Sequence, residues 1–321
     1  MSFGHLIKLN EVTNMKAFDL HCDTLLGCVR HELDLVNDQL HISLDRMTAF
    51  EKYVQCYAIF VPDKFRGQGA IDFYENALNY YKAQTAKYED RLFWPKSGKE
   101  LETDSKPVTG ILTVEGGCVL AGDLSRVQKL KDDGVAMMTL TWNGPNELGC
   151  GTSENKGLTE FGKAAVQEME RVGMLVDLSH ISDAGFEDAC SVTSKPIVAS
   201  HSNSRAVCNH LRNVTDEQFK EYVRRGGLVG LNYFVDFICE DTDKADFEWL
   251  YRHVDHFLSL GGEKVIALGS DFDGAKVPEC LNSCHKNEDF YNFLLKKNLN
   301  EDLVRDIFYN NAMRVFKEYV L

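Results

Sequence analysis

Six metal-binding or proton-transferring side chains stand at the ends of five strand-like runs of this chain. His21 and Asp23 end AFDLHCDT, Glu115 closes the apolar part of TGILTVEGG, His180 ends GMLVDLSH, His201 follows KPIVAS, and Asp271 lies in KVIALGSDFDG. Such residues scattered singly are accidents of composition. Placed repeatedly at the C-terminal ends of apolar strands, they point to one geometry, the open face of a parallel barrel.

The remaining pattern agrees. Aliphatic or β-branched runs at 17–23, 54–61, 108–115, 135–142, 174–179, 196–201, 228–234 and 265–271 read as eight strands. Helical patterns at 72–89, 123–133, 159–172, 182–190, 215–225 and 246–260 lie between them, and 287–297 and 300–319 close the chain. In 159–172, Phe161, Ala165, Val166, Met169 and Val172 share one stripe, and Gly173 stops the helix. Strands alternating with helices predict an α/β fold, a (β/α)8 TIM-type barrel formed as a single domain over 17–321 after an N-terminal tail, 1–16. The chain has no G-x-G-x-x-G after its first strand and no P-loop, so the open nucleotide-binding sheets lose support. The turn-rich segment 143–157 is expected to form part of the site.

A net charge of −14 argues against nucleic acid or an anionic membrane as partner. No apolar run reaches the roughly 18 residues of a membrane span, and the N-terminus lacks a secretion signal. Many of the ten cysteines, such as Cys22, Cys56 and Cys190, fall within strand- and helix-like runs, which fits buried thiols better than a disulfide framework. The expectation is a cytoplasmic protein with reduced thiols.

His21 and Asp23 are two apart on a strand and share a side, with Asp19 one step deeper. They offer an imidazole and a carboxylate to one cation, or else form a His–Asp hydrogen bond that holds the strand end. Glu115 has two oxygens and can bridge two ions. Neutral imidazoles at His180 and His201 suit zinc. Together these residues predict two divalent ions: His21 and Asp23 on one, His180 and His201 on the other, Glu115 between them. Each ion keeps an open position for a shared bridging hydroxide. Zinc is the expected metal, with manganese and cobalt as alternatives. Asp271 is not needed as a ligand and can move protons, whereas Asp273, before Gly274, reads as a turn residue. Arg212 either grips a substrate carboxylate by a two-pronged pair or is an ordinary surface residue.

These motifs together resemble the membrane dipeptidase (renal dipeptidase) family of zinc peptidases, within the amidohydrolase-like barrels. The resemblance rests on D-x-H-x-D at 19–23, V-E-G-G at 114–117, D-L-S-H at 177–180, S-H-S at 200–202, R-N at 212–213 and D-F-D-G at 271–274. It implies metal ligation by His21, Asp23, Glu115, His180 and His201, a dipeptide substrate whose carboxylate meets Arg212, proton transfer by Asp271, and a homodimer. Two departures concern the substrate. Trp142, in TLTWN, stands where mammalian members have a histidine, so Trp142 and Asn143 become candidate substrate contacts. Phe237 stands where the family has a substrate-contacting tyrosine, and Tyr233 is the candidate to compensate. Whether a D-residue is accepted at the C-terminal position stays open. The alternatives are hydrolysis of another small amide or ester on the same metals, or a catalytically silent peptide-binding barrel.

Overall fold

The first strand begins before its apolar run. The computed structural model describes residues 13–320, and strand β1 spans Thr13–Cys22. Met15 and Ala17 are buried while Asn14 and Lys16 are exposed, so the alternation of a half-covered strand starts here. Of the expected tail, 13–16 therefore belong to β1, and 1–12 lie outside the described residues.

The other barrel strands are β2 (Phe50–Phe60), β3 (Val108–Glu115), β4 (Val135–Thr139), β5 (Leu175–Asp177), β6 (Ile197–Ala199), β7 (Leu228–Leu231) and β8 (Ile266–Leu268). Each pairs in parallel with the next, and β1 pairs with β8 through Asp19 and Leu268, so the sheet closes. A two-residue strand, Leu92–Phe93, pairs with β3 outside the barrel.

The interior is apolar. Phe18, Val54, Ile111, Met137, Leu175, Val198, Leu228 and Ala267 form one buried cluster with a residue from every strand. Ala312, Val315 and Phe316 of the C-terminal helix Asn311–Tyr319 join that cluster and cover the N-terminal end of the barrel. The Phe316 ring lies 5.0 Å from that of Phe18. A second, larger cluster fills the layer between strands and helices.

The helices follow their stripes. Helix Glu160–Val172 buries Ala165, Val166, Met169 and Val172. The Thr159 hydroxyl accepts the Gly162 N–H at its start, and Gly173 ends it at φ +71°, a conformation open to glycine without cost. Among the described residues, no helix is long and apolar enough to cross a membrane.

Most strands stop before the chemistry-bearing residues. β5 ends at Asp177 and β6 at Ala199, whereas the expected runs reached 179 and 201. His180 adopts φ +66°, which cannot continue a strand ladder. His21 and Glu115 thus remain within strand ends, whereas Asp23, His180, His201 and Asp271 sit on the loop residues that follow.

Candidate metal centre and active site

The ends of β1, β3, β5, β6 and β8 bring His21 and Asp23, Glu115, His180, His201 and Asp271 to the same end of the barrel. Glu115, the last residue of β3, is the meeting point. Its Oε1 lies 2.9 Å from His180 Nε2 and 3.8 Å from His201 Nε2, while Oε2 lies 3.5 Å from His21 Nε2. One carboxylate therefore turns an oxygen to each of two donor groups. On the first side, His180 Nε2 and His201 Nε2 are 2.9 Å apart. On the second, His21 Nε2 lies 3.4 Å from Asp23 Oδ2 and 3.9 Å from Asp271 Oδ1.

The ring orientations on the first side are held from behind. Asn143 Oδ1 stands 2.8 Å from His180 Nδ1, and Ser200 Oγ 2.7 Å from His201 Nδ1. The Ser200 hydroxyl donates to Asp177 Oδ2 at 2.6 Å and so accepts from His201. Asp177 also accepts from the Thr139 hydroxyl and from the backbone N–H groups of Ser179 and Ser200. With Nδ1–H engaged on both rings, both Nε2 atoms present bare lone pairs to each other and to Glu115 Oε1. Three lone-pair atoms facing one another repel unless a cation sits among them. Burial holds both imidazoles well below the ordinary histidine value, and the charges of Arg212 and His21 push the same way.

The second side is anionic. Burial alone would lower the His21 pKa, but Glu115, Asp23 and Asp271 together push it up to about 10. Burial raises the Glu115 carboxyl well above its usual range and raises that of Asp271 as well. His21 Nε2 and Asp23 Oδ1 are buried without a hydrogen-bond partner. The buried carboxylates of Asp23 and Glu115 and the partly buried one of Asp271 lie near a single buried guanidinium, that of Arg212. A divalent cation on the second side would satisfy its orphaned atoms and offset the carboxylate charge, and on both sides imidazole with carboxylate is a donor set that divalent transition metals take.

Local backbone geometry keeps the groups close. A Cβ on Gly274 would stand 1.9 Å from Asp23 Oδ2 and 2.9 Å from Asp271 Oδ1, so only glycine lets these carboxylates meet. Asp271 is held at φ +61°, one of the left-handed conformations that cost about 1–3 kcal/mol and concentrate at functional sites. Its Oδ2 accepts from Asn232 Nδ2 at 3.0 Å, which leaves Oδ1 turned toward His21.

Asp19 departs from the alternation read in the sequence. Three steps on β1, Asp19 to Cys22, oppose two on β2, Gln55 to Tyr57. This bulge breaks the period of two. Asp19 accepts from the Ser270 hydroxyl and from the backbone N–H groups of Ser270 and His21, rather than from the imidazole. It ties the end of β1 to the chain leaving β8. Burial pushes its carboxyl up to about 6 against those hydrogen bonds.

A cavity of about 910 Å³ opens above the cluster, within the range of small-molecule sites. Trp142, Asn143, Thr152 and Ser153 line one side, so segment 143–157 does form part of the wall. Arg212 lines it too, only 5% exposed, with Nη1 3.3 Å from Ser202 Oγ and Nη2 3.1 Å from the His201 carbonyl. Its Nε has no partner. The Trp142 ring lies 5.1 Å from that of Phe60, which makes an aromatic face beside His180.

Tyr233 is a correction. Its side chain is fully buried, and its hydroxyl donates to Asn287 Oδ1 at 3.0 Å in the layer beneath the helices. It does not reach the cavity; Phe234 and Phe237 line it instead. The residues that sequence reasoning missed are the supports, Asn232, Ser200, Asp177 and Gly274. Ser200 and Asp177 lie in the motifs around His201 and His180, whereas nothing in LNYF marked Asn232 as the partner of Asp271.

A family model for membrane dipeptidases, peptidase family M19, matches residues 9–320. The chain belongs to this family. As a member it is a metallo-dipeptidase, an enzyme that hydrolyses a peptide bond. The chain is similar to a metallo peptidase from Rhodobacter sphaeroides, solved with a phosphinate mimic of the dipeptide L-Ala-D-Ala. That likeness has a TM-score of 0.90 at 25% identity, over 96% of this chain and 100% of that one. The solved dipeptidase AC is similar at TM-score 0.90 and 26% identity, over 96% and 99% of the two chains. A probable dipeptidase, PvdM from Pseudomonas aeruginosa, shares the fold with TM-score 0.82 at 17% identity, over 95% of each chain.

Proposed function

We propose that the chain is a binuclear, zinc-dependent dipeptidase. The reading is carried by Glu115, whose two oxygens face two separate donor groups. His180 and His201 would hold one cation, His21 and Asp23 the other, and Glu115 would bridge them. When bound, two such cations lower the pKa of water and act as Lewis acids on a carbonyl oxygen.

The chain's own residues supply the rest. Arg212, charged and buried, receives the C-terminal carboxylate of a dipeptide through its unpartnered Nε–H and the outer edge of the guanidinium. This fixes the scissile carbonyl over the cluster. Asp271 takes a proton from the attacking water on Oδ1 and passes it to the leaving amine, while Asn232 holds Oδ2. Asn143 and Ser200 keep the imidazoles turned to the cluster. Trp142 closes one wall with an apolar face. Acceptance of a C-terminal D-residue is supported by the L-Ala-D-Ala mimic bound to the Rhodobacter relative.

Elemental analysis of the purified protein, joined to turnover of a panel of L,L and L,D dipeptides, tests the reading. Two zinc equivalents per chain and chelator-sensitive hydrolysis are expected. One equivalent, or full activity in chelator, would reject the binuclear mechanism.

A further inference from the structure

The cavity carries positive charge that hydrolysis of a neutral dipeptide leaves unused. Helix Thr24–His31 lays Leu26, Gly27, Arg30 and His31 along one wall, and the loop beyond Asp271 brings Lys276 to the same cavity. Arg30 and Lys276 are both exposed. Among the described residues, neither side chain forms an ion pair or a hydrogen bond. The acidic residue of this wall outside the metal cluster is Asp273, and it is already engaged. Its Oδ2 accepts from the Thr24 hydroxyl at 2.6 Å and its Oδ1 from the His41 N–H at 2.6 Å.

The chain carries 49 acidic and 35 basic residues. Some of its surface cations are paired, as Lys87 with Asp34 at 2.6 Å and Arg171 with Glu168 at 2.7 Å. Others, such as Lys64 and Lys195, are exposed and form no ion pair among the described residues; Arg30 and Lys276 differ from these in lining the cavity above the cluster. Two unpaired cations lining one cavity, with Asp273 already engaged, make a receptor for an anion that arrives from outside. Arg212, against the His201 side, is positioned for the substrate's terminal carboxylate. Arg30 and Lys276 then remain for a second one.

We propose that the enzyme favours dipeptides with an acidic side chain, whose carboxylate pairs with Arg30 and Lys276. The inference rests on the dipeptidase reading and names its substrate class. The two cations would act on binding rather than on the reacting atoms, so their effect falls on KM.

The test compares kcat/KM of the metal-loaded full chain for Ala-Ala, Glu-Ala, Ala-Glu and Lys-Ala. At least one acidic dipeptide should exceed Ala-Ala by about three- to tenfold, the scale of one or two solvent-accessible charge pairs. Arg30→Gln and Lys276→Gln should each shrink that ratio through KM. The double variant Arg30→Glu/Lys276→Glu should turn the preference toward Lys-Ala. Hydrolysis of Ala-Ala as fast as both acidic dipeptides, or variants that slow all four substrates equally, would overturn the acidic preference and leave the dipeptidase reading intact. Failure to hydrolyse any of the four would overturn both.

Discussion

The two sides of the cluster hold their donors by different means. His180 and His201 are neutral rings whose Nδ1 atoms are engaged by Asn143 and by the Ser200–Asp177 pair, so their direction is set by hydrogen bonds within the fold. His21, Asp23 and Asp271 are crowded charges with orphaned atoms, and only glycine at 274 lets them approach. The first side is pre-oriented. The second crowds like charges that a cation would offset. One barrel mouth thus combines a neutral half oriented by hydrogen bonds with a charged half that holds Asp271, the proposed proton-transfer group.

The largest break in this asymmetry is expected from Asp271→Asn. It removes the proton acceptor from the charged half while Asn232 remains, and turnover should fall by about 10²–10⁴-fold. Metal content measured alongside turnover should stay at the wild-type level; loss of one equivalent would make Asp271 a ligand instead. The next effect separates the halves directly. Asn143→Ala and Ser200→Ala release the rings of the neutral half, and each should weaken metal retention about 10–100-fold at one site only. Competition titration with a chelator resolves this, and equal weakening at both sites would contradict the division.

The third effect is on pH dependence of the metal-free protein, where the halves should respond in opposite directions. His180 and His201 titrate well below their ordinary value of 6.5 in the fold, so the unfolded chain binds their protons first, and stability should drop as pH falls below 6.5. His21 titrates at about 10, so its contribution is full below 6.5 and is lost as pH rises toward 10. Denaturant unfolding across that range should show both limbs, and His21→Asn should flatten the alkaline one alone. The smallest effect is Tyr233→Phe. It should cost about 1 kcal/mol of stability by removing a buried hydrogen bond to Asn287. It should leave kcat and KM unchanged, because the hydroxyl lies away from both halves.

Much of the barrel was legible because its strands are short apolar runs separated by helices of clear 3.6-residue period. Glu160–Val172 lies within one residue of its expected start and ends where expected, at Gly173. Helix Thr24–His31, which lines the cavity, was not read. It follows Asp23 directly, and its eight residues are too few for a stripe to stand out. Asp19 was misplaced because strict alternation was assumed across a bulge. Tyr233 lies beyond the end of β7, where no strand period tells which side chain faces the cavity, and the fold turns it away to Asn287.

The amino-acid order by itself determined which residues stand at the C-terminal ends of the strands, because hydrophobic period and strand length are local properties. It therefore determined the barrel and the cast of ligands gathered at its mouth. Only the tertiary structure decided which oxygen of Glu115 faces which imidazole, that Asn143 serves a ring of His180, that Asn232 holds Asp271, and that Arg30 and Lys276 line the same cavity. Those facts depend on distances between residues tens to hundreds of positions apart. Such distances follow from how the closed sheet brings its loops together, and no local pattern carries them.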